Sequence, residues 1–366
     1  MRGRAARILI FAVVLVVQFV LFELALRRWG SSEAAPAFQG LFTGDDRIGY
    51  RLLPYARAHF ATAEFETDIA INNVGVRDSE DLGPKPPGER RVLILGDSLV
   101  LSVQVPFEQT FGELLERRLN ESTALGAGAV HYRVINGGVQ GYGPIEQLLF
   151  FRRIVEQVDP DVVLATVFVG NDAEEAVASQ PKLSEKRDTG EALRESFVTN
   201  LRRTVRRSMV LQLLRLRVVT ATERFQFKAP PEPPLQSYAA HPPPRIARGV
   251  EITRDCLRQI GAEADRRGAR VAIALMPARF QVDDGDYGRL RQTVAETGGE
   301  LVRDAATTRF REGLSSLPFP LTDLLPALRQ SLPGADVFFQ QNVHLTPRGH
   351  QIVADHLATF FRAHGL

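Results

Sequence analysis

The chain has 366 residues, 44% hydrophobic and 24% charged, which excludes a disordered chain and suits one large catalytic domain with appendages or two small domains. Lys and Arg number 45 against 43 Asp and Glu, a formal net charge of +2; the clustered basic excess of a protein built to grip nucleic acid is missing. A single cysteine, Cys256, excludes an intrachain disulfide and a cysteine-cluster metal site.

Arg2, Arg4 and Arg7 precede an apolar run from Ile8 to Leu26 that is broken only by Gln18 and Glu23. As a helix this run is about 28 Å long, close to a bilayer core of about 30 Å. Arg27, Arg28 and Trp29 follow as an interfacial border. A cleaved signal peptide has a shorter apolar stretch, roughly 7–15 residues. Residues 1–29 are therefore expected to form an uncleaved signal anchor, a single transmembrane helix with the bulk of the chain outside the cytoplasm. Cleavage within Ser31–Ala35 and a buried helix of the globular domain are the alternatives.

Residues 30–88 are read as a β-rich entry segment and linker. The alternation of Phe65 to Ile71 marks small half-exposed strands, and Gly83, Pro84, Pro86 and Pro87 mark the linker. From 89 to 366 the pattern changes. Arg91 to Gly96 is a short continuous apolar run, the mark of a strand buried on both faces. Helix periodicity follows over Phe107–Leu119, a strand at Tyr132–Ile135, a helix at Ile145–Val158 and a buried strand at Val162–Val169. Beyond them come a helix at Ile252–Arg267, a strand at Arg270–Met276, a fifth strand at Leu317–Leu321 and a terminal helix at Pro347–Phe361. Such alternation predicts a parallel sheet covered on both faces. Between about 180 and 250 the pattern breaks into a charged stretch, a basic amphipathic stretch and a proline-rich stretch, read as an insertion, helical first and then extended.

The residues that bear chemistry fall at predicted strand ends. Gly96-Asp97-Ser98-Leu99 closes the first buried strand, at the edge where open α/β sheets place their sites. Alone it is also a common turn and N-cap combination. Asn136 to Gly143, containing Gly141, follows the second strand, and Val169-Gly170-Asn171-Asp172 ends the third. Asn342-Val-His344, with Thr346-Pro347 after it, precedes the last helix. A backbone N–H at Gly141, an amide at Asn171 and a base at His344 compose the set that acyl transfer requires.

Together these blocks resemble the SGNH (GDSL-type) hydrolases from about Arg91 to the C-terminus, and Ile71 to Asp78 resembles the corresponding segment of membrane-anchored bacterial members. The resemblance implies an α/β class fold, a flavodoxin-like three-layer α/β/α sandwich with a parallel sheet, and a serine esterase or acyltransferase without metal or other cofactor. It makes Ser98 the nucleophile and His344 its general base, with an oxyanion hole of the Ser98 and Gly141 backbone N–H groups and the Asn171 side chain. One position departs from the pattern: the acid usually found three residues before the histidine is here Gln341. Gln341 is expected to orient His344; a backbone carbonyl in a Ser–His dyad, or a slow or inactive enzyme, are the other readings. The expected function is ester hydrolysis through an acyl-enzyme on Ser98, with an acetylated envelope glycan as substrate. An O-acyltransferase acting on a polysaccharide and a weakened, glycan-binding pseudo-enzyme stand as alternatives, and no nucleic-acid partner is expected.

Other residues have plain structural readings. His350 and His356 are packing or surface residues, Asp97 and Asp172 hold loops, Asp323 starts a helix, and Cys256 lies in the core.

Overall fold

In the computed structural model, residues 18–19, 40–123, 130–183, 235–296, 298–330 and 336–366 are described. The expected membrane anchor lies outside them except at 18–19, as does most of the expected insertion. Among the described residues no helix is long and apolar enough to cross a membrane. Gly40–Ser184 and Glu232–Leu366 form one compact unit.

Its centre is a parallel sheet of β5 (Glu89–Gly96), β6 (His131–Gly138), β7 (Val162–Phe168), β8 (Arg270–Met276) and β9 (Leu321–Asp323), in the order β6-β5-β7-β8-β9. The strands are continuous apolar runs because both faces are covered: Val92, Leu93, Ile94 and Leu95 are all fully buried. Residues of alternating parity serve the two layers. Val92 and Ile94 join a core cluster with Phe111, Leu115 and Leu119 of α2 (Phe111–Thr123) and Val353, Leu357 and Phe361 of α10 (Pro347–His364). On the opposite face α3 (Pro144–Val158) packs on β5 and α5 (Pro244–Asp265) on β8, with α4 (Asp172–Ser179) against α5. This strand order and its two helical layers are those of a flavodoxin-like sandwich, in which the order reverses beside the first strand and opens a crevice at the carboxyl ends.

Several boundaries differ from the sequence expectation. β6 runs on through Asn136, Gly137 and Gly138, which pair with Ile94, Leu95 and Gly96. The fifth strand starts at Leu321 rather than ending there. The expected helix over Phe107–Leu119 divides into a 3-10 turn at Phe107–Gln109 and α2. The last of the prolines starts α5 as its first residue, where a missing N–H costs nothing. Three helices not anticipated, α6 (Arg279–Val282), α7 (Asp284–Glu296) and α8 (Ala305–Leu314), lie between β8 and β9.

The entry segment makes two antiparallel hairpins, β1 (Phe42–Asp45) with β2 (Gly49–Leu52) and β3 (Arg57–Ala61) with β4 (Glu66–Ala70). Asp45 Oδ1 accepts from the N–H groups of Arg47 and Ile48, closing the first turn. Thr62 Oγ1 accepts from Glu64 and Phe65 N–H groups at the second.

Candidate active site

Ser98 is half-buried at the head of α1 (Ser98–Leu101), directly after β5. Asp97 caps this single turn by accepting from the Leu99 N–H at 2.8 Å. The turn ends where Ser102 takes a left-handed φ of 54°. Arg77, 1% exposed, donates to the Leu101 carbonyl at 2.9 Å, to that of Ser102, and to that of Val105 at 2.7 Å. The entry segment thus fixes the backbone behind Ser98. The β5–α1 junction leaves no space for a side chain: a Cβ on Gly96 would lie 2.2 Å from Thr166 Oγ1, and one on Gly138 2.2 Å from the Leu101 nitrogen.

Gly141, in the loop between β6 and α3, has φ +70°, and a Cβ there would lie 2.9 Å from Tyr50 Oη. Tyr50 Oη donates to the neighbouring Gln140 carbonyl at 2.6 Å, and Tyr142 Oη donates to the Tyr50 carbonyl at 2.6 Å. Burial pushes the Tyr50 phenol up to about 12, so it remains a donor at any ordinary pH.

Asn171 follows β7 and holds the N-cap position of α4, yet its side chain does not cap the helix. Its Nδ2 donates to Glu175 Oε1 at 2.7 Å, and its Oδ1 is buried without a partner. The amide nitrogen expected in the oxyanion hole is therefore directed to Glu175. Asp172, completely buried, accepts from the Phe168 N–H at 2.9 Å and does hold the loop, as Asp97 does. Burial holds three carboxyls above their usual range: Asp97 at about 6, Glu175 at about 7, and Asp172 well above, where the charges of Asp97 and Glu175 add to the effect. Among the described residues no group of three or more His, Cys, Asp or Glu is arranged to hold a metal ion.

His344 lies on the turn before α10. Its Nδ1 meets Asn342 Oδ1, which also accepts from the His344 N–H at 3.2 Å. The amide beside the imidazole is thus that of Asn342 and not, as the motif spacing suggested, that of Gln341. The reason is the loop's shape. The Phe339 N–H donates to the His344 carbonyl at 3.0 Å and Phe338 bridges Leu345, folding 340–343 into a tight turn. Glu64 Oε1 accepts from the N–H groups of Gln340 at 2.7 Å and Gln341 at 2.9 Å, and the Gln341 residue is exposed.

With Asn342 Oδ1 as acceptor, Nδ1 carries the proton and Nε2 keeps a lone pair. Nε2 is buried and has no hydrogen-bond partner. Burial pulls the His344 pKa down to about 4, so the ring is neutral at neutral pH. The Ser98–His344 hydrogen bond is not made here; such bonds often close only when substrate is bound. His350 ties the two regions together: its Nδ1 accepts from the Phe111 N–H at 3.1 Å, and it lies within electrostatic reach of both Arg77 and His344.

Asn342, Glu175, Tyr50 and Glu64 escaped the sequence reading. The first two carry local signals, an Asx-type spacing of two to His344 and a one-turn helical spacing of four to Asn171. Tyr50 and Glu64 act through tertiary contacts and have none.

No protein-family model matches the chain, and no curated protein matches it. Solved structures similar to it include LAE5, an alpha/beta hydrolase enzyme from the metagenome of Lake Arreo, at 12% identity over 74% of this chain and 94% of that one, TM-score 0.41. The psychrotrophic esterase EstA from Pseudoalteromonas sp. is 13% identical over 75% of this chain and 97% of that one, TM-score 0.39. The acetylxylan esterase Axe2 from Geobacillus stearothermophilus, as a catalytic mutant, is 13% identical over 74% of this chain and 93% of that one, TM-score 0.38.

Proposed function

We propose that this chain is a serine ester hydrolase that forms an acyl-enzyme on Ser98. The observation that carries the reading is the state of His344: a neutral imidazole, oriented from its Nδ1 side by Asn342, with an unpartnered buried Nε2. Ser98 Oγ attacks the ester carbonyl carbon while Nε2 takes its proton. The resulting oxyanion is met by the Ser98 and Gly141 N–H groups, and by the Asn171 amide once its nitrogen is released from Glu175. Each preorganised donor contributes about 3 kcal/mol to the transition state. The imidazolium then protonates the departing alcohol, the carbonyl re-forms, and water repeats the sequence to release the acid. Asn342 fixes the tautomer but supplies no charge to the imidazolium, so the base is weak.

An acetyl ester on an envelope glycan is the substrate class we propose, and the apolar run Ile8–Leu26 supports a tether that places the enzyme at the outer face of a membrane. Labelling the full-length protein with a fluorophosphonate tests the chemistry: a Ser98 adduct is expected, absent in Ser98→Ala. An unlabelled folded protein would favour a glycan-binding pseudo-enzyme, and product appearing only with a glycan acceptor would make it a transferase. Retention of the chain in membranes through a carbonate wash tests the tether.

A further inference from the structure

We propose that Glu175 is a positioning residue whose proton decides which end of the Asn171 amide is offered to the oxyanion. The inference rests on the reading of Asn171 as an oxyanion donor and goes beyond it. Asn171 Nδ2 donates to Glu175 Oε1 at 2.7 Å, leaving Asn171 Oδ1 and Glu175 Oε2 both buried and without partners. Two unsatisfied acceptors in one side-chain pair are costly, since each buried unpaired group costs about 1–3 kcal/mol. In this arrangement the amide also turns an acceptor, not a donor, away from Glu175, and an acceptor repels an oxyanion.

A half-turn of the amide about its terminal bond exchanges the two ends with almost no movement of the heavy atoms. Oδ1 then faces Glu175, which is favourable only when that carboxyl carries a proton to donate. Nδ2 is released to the other side. A protonated Glu175 satisfies the amide oxygen and completes the hole; an ionised one captures the nitrogen and empties it.

The surroundings hold that proton in a useful range. Asp97 from the β5–α1 turn, Glu174 from α4 and Glu146 from α3 act on Glu175 with negative charge; Asp172 of α4, itself held well above its usual range, and Tyr50 of β2 lie within electrostatic reach. Lys182 is the opposing cation, already joined to Glu146 at 2.7 Å. Burial first, and these carboxylates second, lift Glu175 to about 7. Glu175 lies within electrostatic reach of Asp97 and Asp172, so the alkaline limb of activity belongs to the cluster and needs variants to assign it.

The test is the pH profile of kcat for full-length protein on an aryl acetate between pH 4.5 and 9. Losing one oxyanion donor costs roughly 10²–10³ in kcat, so wild type should fall progressively above about pH 7, by roughly tenfold per unit and up to about 10²-fold at pH 9. Glu175→Gln, whose amide can donate to Asn171 Oδ1 at every pH, should lose the fall. Asn171→Ala should be uniformly slow and equally without the fall, because the limb acts through Asn171. An alkaline limb retained at the same midpoint in Glu175→Gln overturns the inference. If that variant does not fold, a limb retained in Asn171→Ala does the same. In either case fluorophosphonate labelling of Ser98 shows that the esterase reading survives; a protein that neither labels nor turns over ester sinks both.

Discussion

At the scale of single residues, the proposed mechanism turns on the neutral partner of His344. Asn342 accepts from the ring's Nδ1 side, and burial draws the imidazole down to about 4. A carboxylate in that place would stabilise the imidazolium, raising both the pKa and the strength of the base. Asn342→Asp is therefore expected to move the acid limb of kcat/KM to higher pH and to raise the plateau rate severalfold or more. Gln341→Asp, on an exposed residue, should change the rate less than about twofold; a larger gain from it than from Asn342→Asp would return the role to position 341. The placement of His344 on the turn before the last helix was legible from the sequence because a Thr-Pro helix start follows it by two residues. Its partner was not, because the motif spacing assumes a loop backbone that the Glu64 carboxylate reshapes here.

At the scale of elements, the strands were legible where burial on both faces produces unbroken apolar runs, as at Arg270–Met276. They were less so where glycine serves close packing: Gly137 and Gly138 read as loop yet complete the ladder of β6. The join between α2 and α10 shows how an element contact creates a pH dependence. His350, 1% exposed, accepts from the Phe111 N–H and stacks on the Phe111 ring at 5.7 Å. Burial lowers its pKa to about 3, with Arg77 and His344 adding to the shift. A histidine with a depressed folded-state pKa contributes stability that is complete above its ordinary value near 6.5 and is lost as pH falls toward about 3. Melting temperature should therefore decline across that window. His350→Asn, which keeps an acceptor near the Nδ1 position but cannot be protonated, should flatten part of the slope. An unchanged slope in that variant would assign the acid sensitivity elsewhere.

At the scale of the whole unit, the entry segment grips both sides of the candidate site. One hairpin holds the Gly141 loop through Tyr50 Oη on the Gln140 carbonyl. The other holds the His344 turn through Glu64 Oε1 and a Phe65–Phe339 ring contact with centroids 5.6 Å apart. Small displacements of catalytic groups can cost on the order of 10²-fold in rate. Glu64→Ala is thus expected to lower kcat roughly tenfold with little change in melting temperature, while Glu64→Gln, which keeps Oε1 as acceptor, restores most of it. Equal activity in the two variants would show that the turn holds itself. None of this grip was legible in the sequence, where the hairpins read as a separate preface to the sheet.

The contact between Glu64 and Gln340 also imposes an order in time, for its partners stand 276 residues apart in the chain. At roughly 5–20 residues per second of synthesis, the second hairpin waits on the order of 15–55 s for the turn it must hold. The sheet can gather strand by strand in that interval, whereas the His344 turn can be set only at the end. During refolding the whole chain is present, but closing a contact this distant costs more loop entropy than pairing neighbouring elements. Ester turnover should therefore return after the far-UV dichroism of the sheet and helices, and simultaneous recovery would show that the turn forms without its clamp.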